Sequence, residues 1–332
     1  DMVWSWMRVL TPSLGSQYPD MLYYVVGAEE FNTGVITDFS KVGVKAIDAK
    51  TLEVKLNNPT PFFLGLLSHY STWPVHKETV LEFGEIDDRQ GLWTIPGNFV
   101  CNGPMNLKSW ELNKKIIVEK NPLYWDADQV KLNQMHFYPV SDINTEERMF
   151  RAGQLHLTST VPSQKCGVWR EEGNPNLRID PYMGTYYYRA NVNVEPLNNA
   201  KVRKALTYSI DREKLTEKVT QCGQIPAYSF TPPGAAGYNP DTEIPYDPEL
   251  ARQLLSEALE EEGISGIEDF PVLQILYNTS EDHRKIALTI QQMWQQNLGI
   301  NVELENMDWK VYLSRQNSCL LYTSPSPRDS TL

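Results

Sequence analysis

Residues 180–212, DPYMGTYYYRANVNVEPLNNAKVRKALTYSIDR, are the most informative for the fold. They contain an aromatic run typical of a strand, followed by a helix. Tyr186, Tyr187 and Tyr188 are consecutive, and successive side chains of a strand point to opposite faces. Tyr187 should therefore point away from its two neighbours. One tyrosine can then face a cleft while the other two pack.

The start of the following helix is marked by asparagine. Asn198 and Asn199 are favoured N-cap residues, and the apolar set behind them has helical spacing. That set is Val202, Ala205 and Leu206. A second cap residue, Asp211, predicts the start of the next helix.

The region after residue 240 predicts a parallel crossover unit. Asp247 caps a helix with Pro248 at its first position, and Gly263 follows its end. Leu250, Leu254, Ala258 and Leu259 should form its buried face. A strand over 272–277, a helix over 281–297 and a strand over 300–304 then follow. The helix should bury Ile286, Ile290, Met293 and Trp294.

Ligands of open α/β sheets bind beyond the carboxyl ends of such parallel strands. The candidates there are residues 277–279 and 306–309. His283 falls in the first turn of the intervening helix, where free N–H groups and the helix dipole favour an anion. From the residues alone, however, a solvated first-turn histidine is the favoured interpretation.

Earlier in the chain the pattern alternates short strands and helices. Hairpins are predicted over 44–56 and over 107–121, with a further strand over 135–140. An apolar helical turn is predicted over 62–67, and a capped helix over 146–152 is followed by Gly153.

Composition and the absence of known motifs disfavour several classes of function. With 332 residues, 41% of them apolar, the chain can build more than one packed core. A formal net charge of −12 disfavours nucleic acid or an anionic membrane as a partner. Motifs of hydrolases, nucleotide-binding loops and zinc proteases are absent, and the five histidines lack metal-ligand spacing. We therefore expect no catalysis, no cofactor and no metal.

Cys101, Cys166 and Cys222 lack C-x-x-C spacing, so we expect neither a disulfide framework nor a zinc site. Residues 319–329, CLLYTSPSPRD, resemble a translated adapter from sequencing-library preparation. We therefore interpret residues 319–332 as an unstructured artefact.

Six segments in order resemble the extracellular solute-binding proteins of bacterial ABC importers, specifically the oligopeptide- and dipeptide-binding class. They are DMVWSWMR (1–8), GVKAIDAKTLEVKL (43–56), NPLYWD (121–126), GTYYYRANVN (184–193), KVRKALTYSIDREKL (201–215) and AYSFTPPG (227–234). The resemblance implies an α/β fold of the periplasmic-binding-protein type II. It also implies a fragment lacking both ends of the family's length, including the residues that anchor the peptide amine.

The family has two large lobes with mixed sheets and a smaller inserted lobe. The resemblance implies that residues 1–76 form the small lobe, 77–183 part of the first large lobe and 184–318 part of the second. It also implies a set of substrate-binding residues: Tyr18, Tyr182, Thr185, Tyr187, Arg189, Asn278, His283 and Trp309. At His283 it favours the cleft and contact with a peptide carboxylate.

Three departures from the best-known oligopeptide binders bear on the ligand. Arg189 replaces an acidic residue, Thr220 replaces a lysine and Gly184 replaces a cysteine. We expect the first change either to favour acidic peptides or to let Arg189 hold a carboxylate, while peptide length stays open.

The function implied is a periplasmic, monomeric substrate-binding component that captures short peptides between two lobes. It would deliver them to an ABC permease and its ATPase subunits, after secretion by a signal peptide missing from this sequence. The alternatives are another family ligand, such as a murein tripeptide, a dipeptide or a nickel chelate, or a peptide hydrolase.

Overall fold

A computed structural model describes residues 1–235, 237–238 and 244–317. The predicted artefact at 319–332 lies outside the described residues. The chain divides into two units, residues 1–139 and residues 140 onward. The division into three lobes at 76 and 183 stays a prediction.

The first unit is built from short elements. Its helices are α1 (Met2–Leu10), α2 (Ala28–Asn32), α3 (Phe63–Leu66) and α4 (Lys77–Glu82). Its strands are β1 (Val44–Ala46), β2 (Leu52–Val54), β3 (Met105–Glu111), β4 (Lys115–Lys120) and β5 (Gln134–Phe137). β1 pairs with β2, and β4 lies between β3 and β5, all antiparallel. Both predicted hairpins, the turn at α3 and the strand after the second hairpin are confirmed.

Trp6 organises the core of the first unit. Its ring packs edge-on against Phe63 at 6.5 Å, and its Nε1 donates a hydrogen bond of 2.9 Å to the Thr72 carbonyl. A buried indole whose N–H has an acceptor combines large apolar burial with no desolvation penalty. The other buried members of this core are Leu10, Leu22, Val25, Ala28, Val42 and Val44.

The second unit contains the longer elements. Its helices are α5 (Ile143–Arg151), α6 (Ser163–Glu171), α7 (Ala200–Tyr208), α8 (Arg212–Lys214), α9 (Pro248–Glu262), α10 (Glu281–Leu298) and α11 (Trp309–Asn317). A π-helical segment, Leu215–Thr220, follows α8. The strands are β6 (Leu273–Asn278) and β7 (Val302–Met307), which pair in parallel. The predicted crossover unit is confirmed, and Gly299 supplies the left-handed turn after α10 with φ of 74°.

The predicted caps are confirmed in the second unit. The side chain of Asn199 accepts a hydrogen bond from the Lys201 N–H, that of Asp211 from the Lys214 N–H and that of Asp247 from the Leu250 N–H. Each acceptor satisfies a donor that the first helical turn leaves free.

The buried face of α9 differs from the prediction. Its most buried residues are Ala251, Leu255 and Ala258, while Leu250, Leu254 and Leu259 are half-buried. α7 packs closely over α9, and this favours a small side chain such as Ala251 at the centre of the buried face. In α10, Ile286, Ile290 and Trp294 are buried as predicted, and Met293 is half-buried.

The predicted strand at the three tyrosines does not form a regular ladder. Residues 186–188 lie outside any regular strand, and Arg189 has a single bridge position. Strand pairing needs a neighbouring strand, and the described residues place none along this segment.

The expectation of no disulfide is wrong. Cys166 in α6 and Cys222, just after the π-helical segment, form a disulfide with a Cα–Cα distance of 5.3 Å. The two cysteines are 56 positions apart, so sequence spacing could not reveal the pair, which depends on α6 packing beside the π-helical segment. Cys101 is free and half-buried.

We predict that removing this bridge destabilises the second unit. Cys166→Ser should lower the free energy of unfolding by about 2–4 kcal/mol, because the bridge restricts the unfolded chain. Chemical denaturation under non-reducing conditions measures the change. Cys101→Ser is the matched control and should shift the midpoint little; equal effects of the two variants would contradict a stabilising bridge.

Candidate functional site

Parallel pairing of β6 and β7 brings their carboxyl ends to one edge. Tyr277 lies opposite Asn306, and Asn278 lies opposite Met307. Thr279 extends the contact, since its N–H donates to the Met307 carbonyl at 2.8 Å and its Oγ1 donates to Asn306 Oδ1 at 3.1 Å. The expected candidates at 277–279 and 306–307 are thus neighbours.

His283 lies at this edge and is not solvated. Only 7% of its surface is exposed, and its Nδ1 lies 2.8 Å from Asn278 Oδ1. Ser280 caps the start of α10, with its hydroxyl oxygen accepting a hydrogen bond from the His283 N–H. The cap and the contact with Asn278 together hold the imidazole against the end of β6.

Burial sets the charge of this histidine. Desolvation lowers the pKa of His283, and this outweighs the opposing effects of Asp282 and of a hydrogen bond to the Asn278 backbone. Burial therefore favours the neutral imidazole. The first turn of α10 also carries Glu281 and Asp282, so the positive end of the helix dipole already faces two carboxylates.

The three tyrosines alternate as predicted, but Tyr186 rather than Tyr187 contacts the histidine. The Tyr186 ring lies 5.5 Å from the His283 ring and 6.1 Å from the Tyr188 ring. Tyr187 instead packs edge-on against Phe230 at 4.8 Å. Tyr188 packs on the core, where burial raises its pKa well above the usual value.

The sequence did not predict the contact between Tyr186 and His283. Alternation correctly separates Tyr187 from its neighbours, but it cannot tell which face meets α10, because that depends on a contact between distant parts of the chain. The one sequence feature that could have indicated this contact was the predicted position of His283 beside the end of a strand.

The remaining predicted binding residues of the second unit differ in their exposure and contacts. Trp309 begins α11 and stacks on the fully buried Tyr312 at 5.6 Å. Tyr182 and Arg189 are exposed, and Thr185 is half-buried. A Cβ at position 184 would meet the ring of Tyr182 as it is placed here, so a larger residue there would require this exposed ring to move.

Tyr18 belongs to the first unit. Its ring packs edge-on against His69 at 5.2 Å and against Tyr70 at 5.9 Å. His69 and Tyr70 stack on each other at 4.3 Å. These contacts form an aromatic cluster in which Tyr70 is substantially exposed.

The described residues contain no group of three or more His, Cys, Asp or Glu side chains that could hold a metal ion. Among the same residues, no helix is both long enough and apolar enough to cross a membrane.

Comparison with known proteins identifies the family. The model of the bacterial extracellular solute-binding proteins, family 5, middle region, matches residues 1–320. The chain belongs to this family. It is 36% identical over 327 residues to the oligopeptide-binding protein OppA of Bacillus subtilis, a match that covers 96% of this chain and 58% of the relative.

Solved structures agree. The periplasmic oligopeptide-binding protein OppAIV of Borrelia burgdorferi is 35% identical with a TM-score of 0.84, covering 97% of this chain and 63% of that one. OppA of Haemophilus influenzae, solved in complex with the peptide RPPGFSPFR, is 30% identical with a TM-score of 0.86, covering 98% and 64%. The predicted α/β fold of the periplasmic-binding-protein type II is confirmed. The chain spans less than two thirds of the length of these relatives.

The lowered pKa of His283 predicts an acid-sensitive fold. The unfolded chain takes up a proton near the ordinary pKa of about 6.5, whereas the native state resists it. Stability should therefore be full above that pH and fall as the pH drops below it. In thermal unfolding between pH 7.5 and 5, His283→Gln should flatten this loss.

The matched control is His156→Gln, since His156 is exposed. It should leave the pH profile of the wild type unchanged. Parallel profiles for the wild type and His283→Gln would show that burial of this histidine does not affect acid stability.

Proposed function

We propose that this protein is the substrate-binding component of an ABC importer and that it captures short oligopeptides. The observation that carries the proposal is the match to the solute-binding family over residues 1–320, together with 36% identity to an oligopeptide-binding protein. The relatives are named as binding proteins, which supports binding without catalysis here.

The edge of the second unit supports this proposal chemically. Asn278, Thr279 and Asn306 offer amide and hydroxyl groups, and Tyr186 and Trp309 offer aromatic surface at the same strand ends. Such groups suit a peptide main chain, since polar contacts fix its orientation while rings provide large contact areas with few rotors. The proposed binding residues are those predicted from the sequence, namely Tyr18, Tyr182, Thr185, Tyr187, Arg189, Asn278, His283 and Trp309, with Tyr186 added.

The remaining parts of the proposal follow from the family. The protein would act as a monomer in the periplasm, reached through a signal peptide, and would pass its peptide to a permease driven by ATPase subunits. Closure of lobes around an extended peptide would tolerate different side chains, because main-chain hydrogen bonds do not depend on sequence.

Calorimetric titration of the complete gene product tests the ligand class. Tripeptides of different sequence should bind with affinities within about tenfold of one another, and chromatography should recover them uncleaved. Stronger binding of a murein tripeptide, a dipeptide or a nickel chelate would assign another family ligand, and cleavage would reveal a hydrolase.

Arg189 should influence which peptides are preferred. The guanidinium is exposed and always charged, so it can pair with an acidic side chain of the ligand. Competition between an acidic and a basic tripeptide should favour the acidic one in the wild type. Arg189→Glu should shift this preference towards the basic peptide by about threefold to tenfold.

The control is Arg178→Glu, since Arg178 is also exposed but pairs with Asp180. It should leave the competition unchanged. An identical ratio in the wild type and in Arg189→Glu would exclude Arg189 from the pocket.

A further inference from the structure

The second unit contains a cavity of about 300 Å³ between α6, the π-helical segment and α10. Lys285 and Thr289 line it from α10, Lys218 lines it from the π-helical segment, and Ser163 and Gln164 line it from α6. The described residues of its wall include these two lysines and no carboxylate. The wall is therefore polar and positively charged, although the chain as a whole carries a net charge of −12.

This cavity is separate from the edge formed by β6 and β7. Successive residues of an α-helix are turned by about 100°, so Lys285 and His283 point to opposite sides of α10. His283 lies against Asn278 at the end of β6, whereas Lys285 Nζ donates a hydrogen bond of 2.9 Å to Ser163 Oγ on α6. A ligand in the cavity would therefore not meet the strand ends.

Lys285 and Ser163 both keep hydrogen-bond donors that the protein does not use. An ammonium group has three donors, and Lys285 gives one to Ser163, while Asp282 Oδ1 at 3.7 Å is beyond hydrogen-bond distance. Ser163 is only 5% exposed, and its hydroxyl proton has no acceptor among the described residues. A buried donor without an acceptor is costly, so this position favours an anion.

The first turn of α6 adds two backbone donors to the same wall. Pro162 provides no side-chain cap, and the first turn contains no acidic residue. In the part of the chain that the structure describes, the N–H groups of Ser163 and Gln164 have no acceptor. The positive end of the helix dipole therefore lies at the cavity without the carboxylate that usually balances it.

The π-helical segment brings a second cation and is held firmly against α6. Lys218 pairs only with its exposed neighbour Glu217, at 2.5 Å, an arrangement that water screens. The disulfide between Cys166 and Cys222 joins α6 to the end of this segment, and Gln221 Nε2 donates to the Lys218 carbonyl at 2.6 Å. A wall fixed in this way loses little conformational entropy when a ligand binds.

We propose that this cavity binds a small oxyanion of the phosphate class, with Lys285 and Ser163 as its main donors and Lys218 as a second cation. Oxyanions accept hydrogen bonds from several directions at once, which matches donors converging from two helices and the π-helical segment. The site goes beyond the proposed function and does not depend on it.

Calorimetric titration of the complete gene product with inorganic phosphate tests the site, at pH 7.5 and constant ionic strength. The wild type should bind one phosphate. Lys285→Met should weaken this binding by about tenfold or more, and Ser163→Ala by about threefold to tenfold, because each removes a donor to a charged ligand. Lys285→Arg keeps the charge and should bind within about threefold of the wild type.

The matched control is Lys204→Met, since Lys204 is exposed on α7. It should leave phosphate binding unchanged. Circular dichroism checks that each variant is folded, and Ser163→Ala decides the question if Lys285→Met is not. Glycerol 3-phosphate titrated in parallel separates two sources of the anion: tighter binding than inorganic phosphate assigns a phosphate monoester, and weaker binding assigns the free ion.

Three results would overturn the proposal. They are no binding of either phosphate compound, equal weakening by Lys204→Met and Lys285→Met, or loss of binding in His283→Gln with Lys285→Met unaffected. The second result would mean unspecific attraction, and the third would place the anion at the edge of β6 and β7. Peptide titrations do not enter this test, so its failure is distinguishable from failure of the proposed function.

Discussion

Parallel pairing between β6 and β7 is the constraint on which the candidate site depends. Two parallel strands need a crossover, and α10 provides it, packing on the sheet through Ile286, Ile290 and Trp294. The Trp294 Nε1 also donates to the Leu206 carbonyl at 2.9 Å, which ties the crossover to α7. The strand ends and the first turn of α10 are therefore brought together by the core of the second unit.

That geometry determines the chemistry of the edge. Because α10 begins only three residues after β6 ends, Ser280 can cap the helix while His283 lies against Asn278. The ring is then largely removed from water, which lowers its pKa. Burial and the contact with Asn278 thus replace the solvated first-turn position that the residues alone favour.

Local signals in the sequence predicted much of this fold. Asn199, Asp211 and Asp247 form caps as expected because capping depends on residues within one turn, and Gly299 ends α10 for the same reason. Contacts between distant parts of the chain were harder to predict from the sequence. The Cys166–Cys222 disulfide and the contact of Tyr186 with His283 join distant segments, and the three tyrosines lack the neighbouring strand that a ladder requires.

We propose that peptide binds at the carboxyl edge of β6 and β7. Hydrogen–deuterium exchange of the complete gene product, with and without saturating trialanine, tests it most directly. The account predicts slower exchange of backbone amides in residues 278–283 and 306–309 when peptide is bound. Protection confined to other segments, with these two unchanged, would contradict it.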